Sequence, residues 1–189
     1  TELAKLTDPE WILTKQVIMD KVVQLFNRQV PVITERFKPV LQPCPFPELL
    51  SAKARISKGE NYLGLPWVML DYPAVFSKED VFALRTLFWW GKFLSVSLQL
   101  AGKYKSLLAK NAAESIRQNG DAGLFLCIHE DQWHHHFEQD NYRQATVVDF
   151  DDVMEKPFFK IALKYELQDW NNLPSLIPQG YATLAGLLK

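Results

Sequence analysis

The segment Phe93-Leu94-Ser95-Val96-Ser97-Leu98-Gln99-Leu100 alternates apolar with small polar side chains, a period of two that commits this part of the chain to a half-buried strand. The residues just before it, Leu84 to Trp90, make the most apolar stretch of the sequence when joined to it. Gly91 allows a turn between the two halves. On a strand, Trp89 points to one side of the sheet while Phe88 and Trp90 point to the other, so both faces need cover. Helices are expected on one face, and a loop, a partner or an aromatic-lined cavity on the other.

The same period recurs. Ala52, Ala54 and Ile56 alternate with Lys53, Arg55 and Ser57, and Lys58-Gly59-Glu60-Asn61 reads as a turn into a second strand over Tyr62 to Tyr72, bent at Gly64 and Pro66. Gly123 to His129 is a short apolar run and reads as a central strand. From Phe158 to Leu167 apolar and charged residues alternate, which predicts a strand with one solvent-facing side carrying Lys160, Lys164 and Glu166.

Elsewhere the period is helical. Ile12, Met19, Val23, Phe26, Val30, Ile33 and Phe37 form one apolar stripe behind an Asp8-Pro9-Glu10 start, with a kink or break expected at Pro31 and an end before Pro39. Ser77-Lys78-Glu79-Asp80 resembles the start of a short helix. Tyr104, Leu107, Leu108, Ala112, Ser115 and Ile116 mark a central helix that stops at Asn119-Gly120, and Leu173 to Leu188 marks a closing one. Pro39 to Pro47 holds four prolines and reads as an extended connector.

These elements sum to an α+β fold: an antiparallel sheet of about five or six strands with N-terminal, central and C-terminal helices packed on it. The 189 residues fit one domain, with a helical segment over 1–39, a proline-rich connector over 40–49, and the sheet with its helices over 50–189.

Charge narrows the partners. Lys and Arg number 21 against 22 Asp and Glu, and the basic residues are scattered, so no concentrated basic face exists for nucleic acid. No apolar run approaches the ~20 residues that a bilayer span requires. Cys44 and Cys127 are too few for a disulfide scaffold or a thiolate zinc site, and the start of the chain shows no signal-peptide pattern, so a cytoplasmic location is expected. There is no Gly-rich phosphate loop, no Gly-x-Ser-x-Gly, no Cys-x-x-Cys and no His-Glu-x-x-His.

One constellation stands out: all four histidines fall in His129-Glu130-Asp131-Gln132-Trp133-His134-His135-His136. Imidazole is the commonest metal ligand and titrates near neutrality. On a strand, His134 and His136 share a face and could grip a divalent transition metal together with His129 or a distant acid. On a helix the same-face pairs become Asp131 with His135, Glu130 with His134, and His136 with Asp140. The plainer reading, histidines bonded to neighbouring carboxylates or lying at a subunit contact, is preferred because the spacing matches no diagnostic ligand set. Asp149, Asp151 and Asp152 read as a turn between strands.

Two functions follow from these residues. The first is a non-catalytic binding or assembly domain, with a small molecule or a second copy of the chain as partner and Trp89, Trp90, Trp133 and His135 as candidate ligand contacts. The second is a metal-dependent, hydrolase-like enzyme built on His129, His134 and His136.

Overall fold

Asp8 accepts a hydrogen bond from the Glu10 N–H at 2.9 Å, and the helix that follows does not stop until Phe37. In the computed structural model, which describes residues 1–37, 39–40, 46–120, 123–148 and 150–189, a short helix α1 (Glu2–Leu6) precedes this long α2 (Pro9–Phe37). The break expected at Pro31 is absent: α2 is continuous through it, and the core contacts of Phe26, Ile33 and Phe37 on either side hold the helix to the sheet. Ile12, placed on the buried stripe by its spacing, is exposed instead.

Most of the expected connector, residues 41–45, lies outside the described residues; its end is helical, with Pro47 opening α3 (Pro47–Ser51). Strand β1 (Arg55–Tyr62) continues through the expected turn at 58–61, with an irregular register past Gly59, and reverses instead at Leu63 and Gly64, both with positive φ. The reason lies in the cross-strand partner. Gly59 faces Trp67, whose indole occupies the space a Cβ would take, at 2.6 Å, so the glycine makes room for a ring rather than a turn. β2 (Leu65–Phe76) and β3 (Val81–Trp89) follow. Ser77 to Asp80 joins them as a tight turn and not as a helix, Ser77 Oγ accepting the Asp80 N–H at 2.9 Å.

After β4 (Phe93–Ala101) come α4 (Lys103–Asn119), β5 (Phe125–Cys127), β6 (Tyr142–Gln144), α5 (Phe150–Glu155), β7 (Phe158–Glu166) and α6 (Leu173–Gly186). Asp151 and Asp152 are in the first turn of α5, not in an interstrand turn, and Asp151 pairs with Arg117 at 3.2 Å; Asp149 lies outside the described residues. Leu107 on α4 is exposed, contrary to its place in the helical stripe.

The seven strands form one antiparallel sheet in the order β1-β2-β3-β4-β7-β5-β6. β5 is therefore next to an edge rather than central. Cross-strand registers assign every side chain to a face. Phe82, Leu84, Phe88, Leu94, Val96, Leu98, Phe159 and Ile161 project to the side covered by α2, α4 and α6, and belong to the main core. Thr34 donates to Tyr72 Oη at 2.7 Å and Thr86 to Tyr181 Oη at 3.1 Å, which pins α2 and α6 to strands they cover.

The opposite face is buried too, with polar side chains in its middle rows between two apolar clusters, one around Val81, Phe158 and Tyr142 and one around Leu87, Trp89 and Phe93. Asp71, Arg85, Ser97 and Ala162 stand in one register row, and Ala83, Gln99 and Lys160 in the next. The segment from Ile128 to Asn141, with neither helix nor strand in it, lies across these rows. Lys160, expected on a solvent-facing side, is thereby fully buried. Among the described residues no helix is long and apolar enough to cross a membrane.

Candidate functional site

The histidine segment is a loop strapped onto the sheet. Tyr62, at the end of β1, supplies the clamp: its hydroxyl oxygen accepts the N–H of His135 at 2.7 Å and of His136 at 3.2 Å, and its O–H faces His136 Nδ1 at 3.3 Å. His136 Nε2 lies 3.4 Å from Asp140. With both acceptor positions filled by backbone donors, the phenol holds the loop and has no lone pair left for attack. Burial raises its pKa above the ordinary tyrosine value despite these two donors.

Lys160 holds the next stretch. Its Nζ donates to the carbonyl oxygens of Gln132 at 2.8 Å and His134 at 2.5 Å, and lies 3.4 Å from His135 Nδ1. On the far side of the same imidazole, Arg85 Nη1 is 3.4 Å from Nε2, while the guanidinium forms a two-pronged pair with Asp71 at 2.6 and 3.2 Å. Burial first, and then the Arg85 charge and that of Lys160 whenever it is protonated, push the His135 pKa well below the histidine range. Burial, with Arg85 adding to it, brings Lys160 down to about 7.

Hydrogen-bond valence selects one proton arrangement. Arg85 can only donate, so His135 Nε2 must be the acceptor and Nδ1 must carry the proton. Lys160 then accepts that proton's hydrogen bond with its lone pair and keeps two N–H donors for the two carbonyls, which is the neutral amine.

Aromatic side chains complete the strap. Phe137 stacks on Tyr142 at 4.4 Å and meets Phe93 and Phe125 edge-on at 4.9 and 5.1 Å; the row continues through Trp89 to Tyr62. Trp133 stays 44% exposed, with Phe76 and the Arg85 guanidinium beside it.

Of the histidines singled out for metal binding, His129, His134 and His136 stand in a row, with ring centroids 4.0 and 5.3 Å apart and planes tilted by 37° and 45°. Among the described residues no group of three or more His, Cys, Asp or Glu side chains is disposed to hold a metal ion. His134 Nδ1 is buried and has no partner among the described residues.

The four candidate ligand contacts separate. Trp89, Trp133 and His135 lie on the strapped face, whereas Trp90 belongs to the helix-covered side, where an open cavity of about 460 Å³ is lined by Ile18, Lys21, Phe88, Trp90, Leu167 and Trp170. Phe88, buried at its base, meets Trp90 at 6.4 Å and Trp170 at 6.2 Å, both edge-on. Trp89 donates its indole N–H to the Tyr62 carbonyl at 3.1 Å, but neither Trp90 nor Trp170 donates its own among the described residues. Trp170 carried no signal in the sequence: it follows β7 by a short 3-10 turn, and only the sheet order brings it beside Phe88. Tyr62, Arg85 and Asp71 were likewise unmarked, since their roles depend on what the loop brings to them.

Compared with known proteins, the chain matches no family model, no curated sequence and no solved structure.

Proposed function

We propose that this chain is a non-catalytic binding and assembly domain of the cytoplasm, whose small-molecule site is the cavity between α2, the β3–β4 turn and the segment leading into α6. The observation that carries this reading is the pair of indole N–H groups of Trp90 and Trp170, unengaged among the described residues and set around Phe88 in a cavity of about 460 Å³. That size falls in the range of small-molecule sites, and an apolar lining with a few polar handles is their usual composition. A planar, largely apolar ligand with one or two hydrogen-bond acceptors matches it. The strapped face supports the non-catalytic part of the reading, because the Tyr62 hydroxyl and the Lys160 amine are committed to the loop backbone and Arg85 to Asp71.

Titration with 1-anilinonaphthalene-8-sulfonate, followed by its fluorescence and by the indole N–H resonances of the protein, tests the site. One saturable site is expected, lost on Trp170→Ala or Trp90→Ala and kept on Trp89→Phe, with the far-ultraviolet circular dichroism unchanged. Absence of saturable binding, or binding indifferent to both alanine changes, overturns the proposal. The assembly half of the reading is self-association of the chain.

A further inference from the structure

The N-terminal half of α2 presents an apolar strip turned away from the sheet. Glu10, Leu13, Thr14, Val17, Ile18 and Lys21 line one groove along it, while Met19, Val22 and Phe26 fill the opposite, buried side. Leu13 is 56% and Val17 52% exposed. Leu3, Leu6, Trp11 and Ile12 add to the exposed apolar surface of this end of the molecule, a concentration that monomeric surfaces rarely carry.

The strip is complementary to itself. It begins with an acid, ends with a base and is apolar between. Reversed about the point between Lys15 and Gln16, it sets Glu10 level with Lys21, Leu13 with Ile18 and Thr14 with Val17. Among the described residues neither Glu10 nor Lys21 forms an ion pair through its side chain, whereas Lys15, on the other side of the helix, is already engaged with Glu60.

We infer that two copies of this chain pair through antiparallel α2 helices, about a two-fold axis between Lys15 and Gln16, with Glu10 of each copy against Lys21 of the other. A two-fold interface of this kind uses one patch twice, which is what a self-complementary strip provides. Ile18 and Lys21 also border the aromatic cavity, so pairing brings Leu13 and Glu10 of the second copy to its mouth. The inference specifies the assembly half of the proposed function and does not rest on the cavity's ligand. The contact spans about 17 Å of helix at 1.5 Å per residue. So short a helix–helix contact is at the small end of specific interfaces, and dissociation in the micromolar range is expected.

Sedimentation velocity over a concentration series tests it on the whole chain. The wild type shows a monomer–dimer equilibrium. Glu10→Lys and Lys21→Glu, each of which sets like charges together twice, raise the dissociation constant by about tenfold or more, and the double exchange E10K/K21E restores it to within about threefold. Val17→Asp gives a monomer. All three positions lie on exposed helix, and circular dichroism checks that the fold is kept. A dimer indifferent to these changes overturns the α2 interface while leaving self-association standing. A chain that stays monomeric throughout overturns both.

Discussion

Lys160 Nζ and His135 Nδ1 face each other at 3.4 Å beneath the histidine loop, with the guanidinium of Arg85 on the other edge of the imidazole. Three nitrogen bases thus share a buried volume in which Asp71 is the carboxylate in direct contact. Neutral His135 and neutral Lys160 are the protonation states that leave the charge balanced, and their pKa values are displaced in the matching direction.

Stability should consequently rise with pH above neutrality. An unfolded lysine titrates near 10.5 and this one near 7 when folded, so between those values the unfolded chain holds a proton that the folded chain lacks. Unfolding free energy then increases by about 1.4 kcal/mol per pH unit. Burial raises the Cys127 thiol above its ordinary 9.0, which opposes the trend beyond that point, so the window to measure is pH 7 to 9. Below 6.5 the unfolded chain protonates His135 before the folded one does, and stability falls. Urea melts at stepped pH check this. Lys160→Met should flatten the rise, and an unchanged slope in that variant would show that the proton is taken up elsewhere.

Removing Asp71 leaves Arg85 buried without its counter-charge. Asp71→Ala is expected to cost about 3–5 kcal/mol, the penalty for breaking a buried pair from one side. Replacing both partners, as Asp71→Leu with Arg85→Met, should recover most of that loss, because the desolvation of two ions disappears together. Thermal melts of the single and double variants decide the matter; a double variant no better than the single would mean that the guanidinium's contact with His135 outweighs its pairing with Asp71.

At Gly180, α6 packs tightly against the sheet. A Cβ there would meet Tyr165 Oη at 2.6 Å and Val96 Cβ at 3.4 Å. Gly→Ala inside a helix ordinarily gains about 1 kcal/mol. At this position the overlap should reverse the sign and give a loss of about 1–3 kcal/mol. Tyr165→Phe removes the obstructing oxygen, and adding it to Gly180→Ala should return most of the stability. A stabilised Gly180→Ala single variant would show that α6 can shift outward freely.

Much of the scaffold could be read from residue order because it is periodic. The alternation through Phe93–Leu100 and Phe158–Glu166 located two neighbouring strands, and the opposite facing of Trp89 and Trp90 followed from period two alone. The burial of Lys160 did not follow, because its cover is an aperiodic loop whose path depends on Tyr62 from a distant strand. The histidines drew notice by type and proximity, yet their backbone is neither helix nor strand, so no face-sharing rule applied to them. Continuity of α2 through Pro31 was equally invisible: propensity argues for a break, and tertiary contacts of Phe26, Ile33 and Phe37 decide otherwise.

Strand β1 bears on how such molecules can associate. Among the described residues its outer rim has no neighbouring strand, and it carries Arg55, Lys58 and Glu60 together with an irregular register past Gly59. Charged side chains and a disrupted ladder discourage a foreign strand from zipping alongside. Growth of the sheet into ribbons is thus resisted, and contacts between copies are channelled toward helical surfaces, which close after a single pairing.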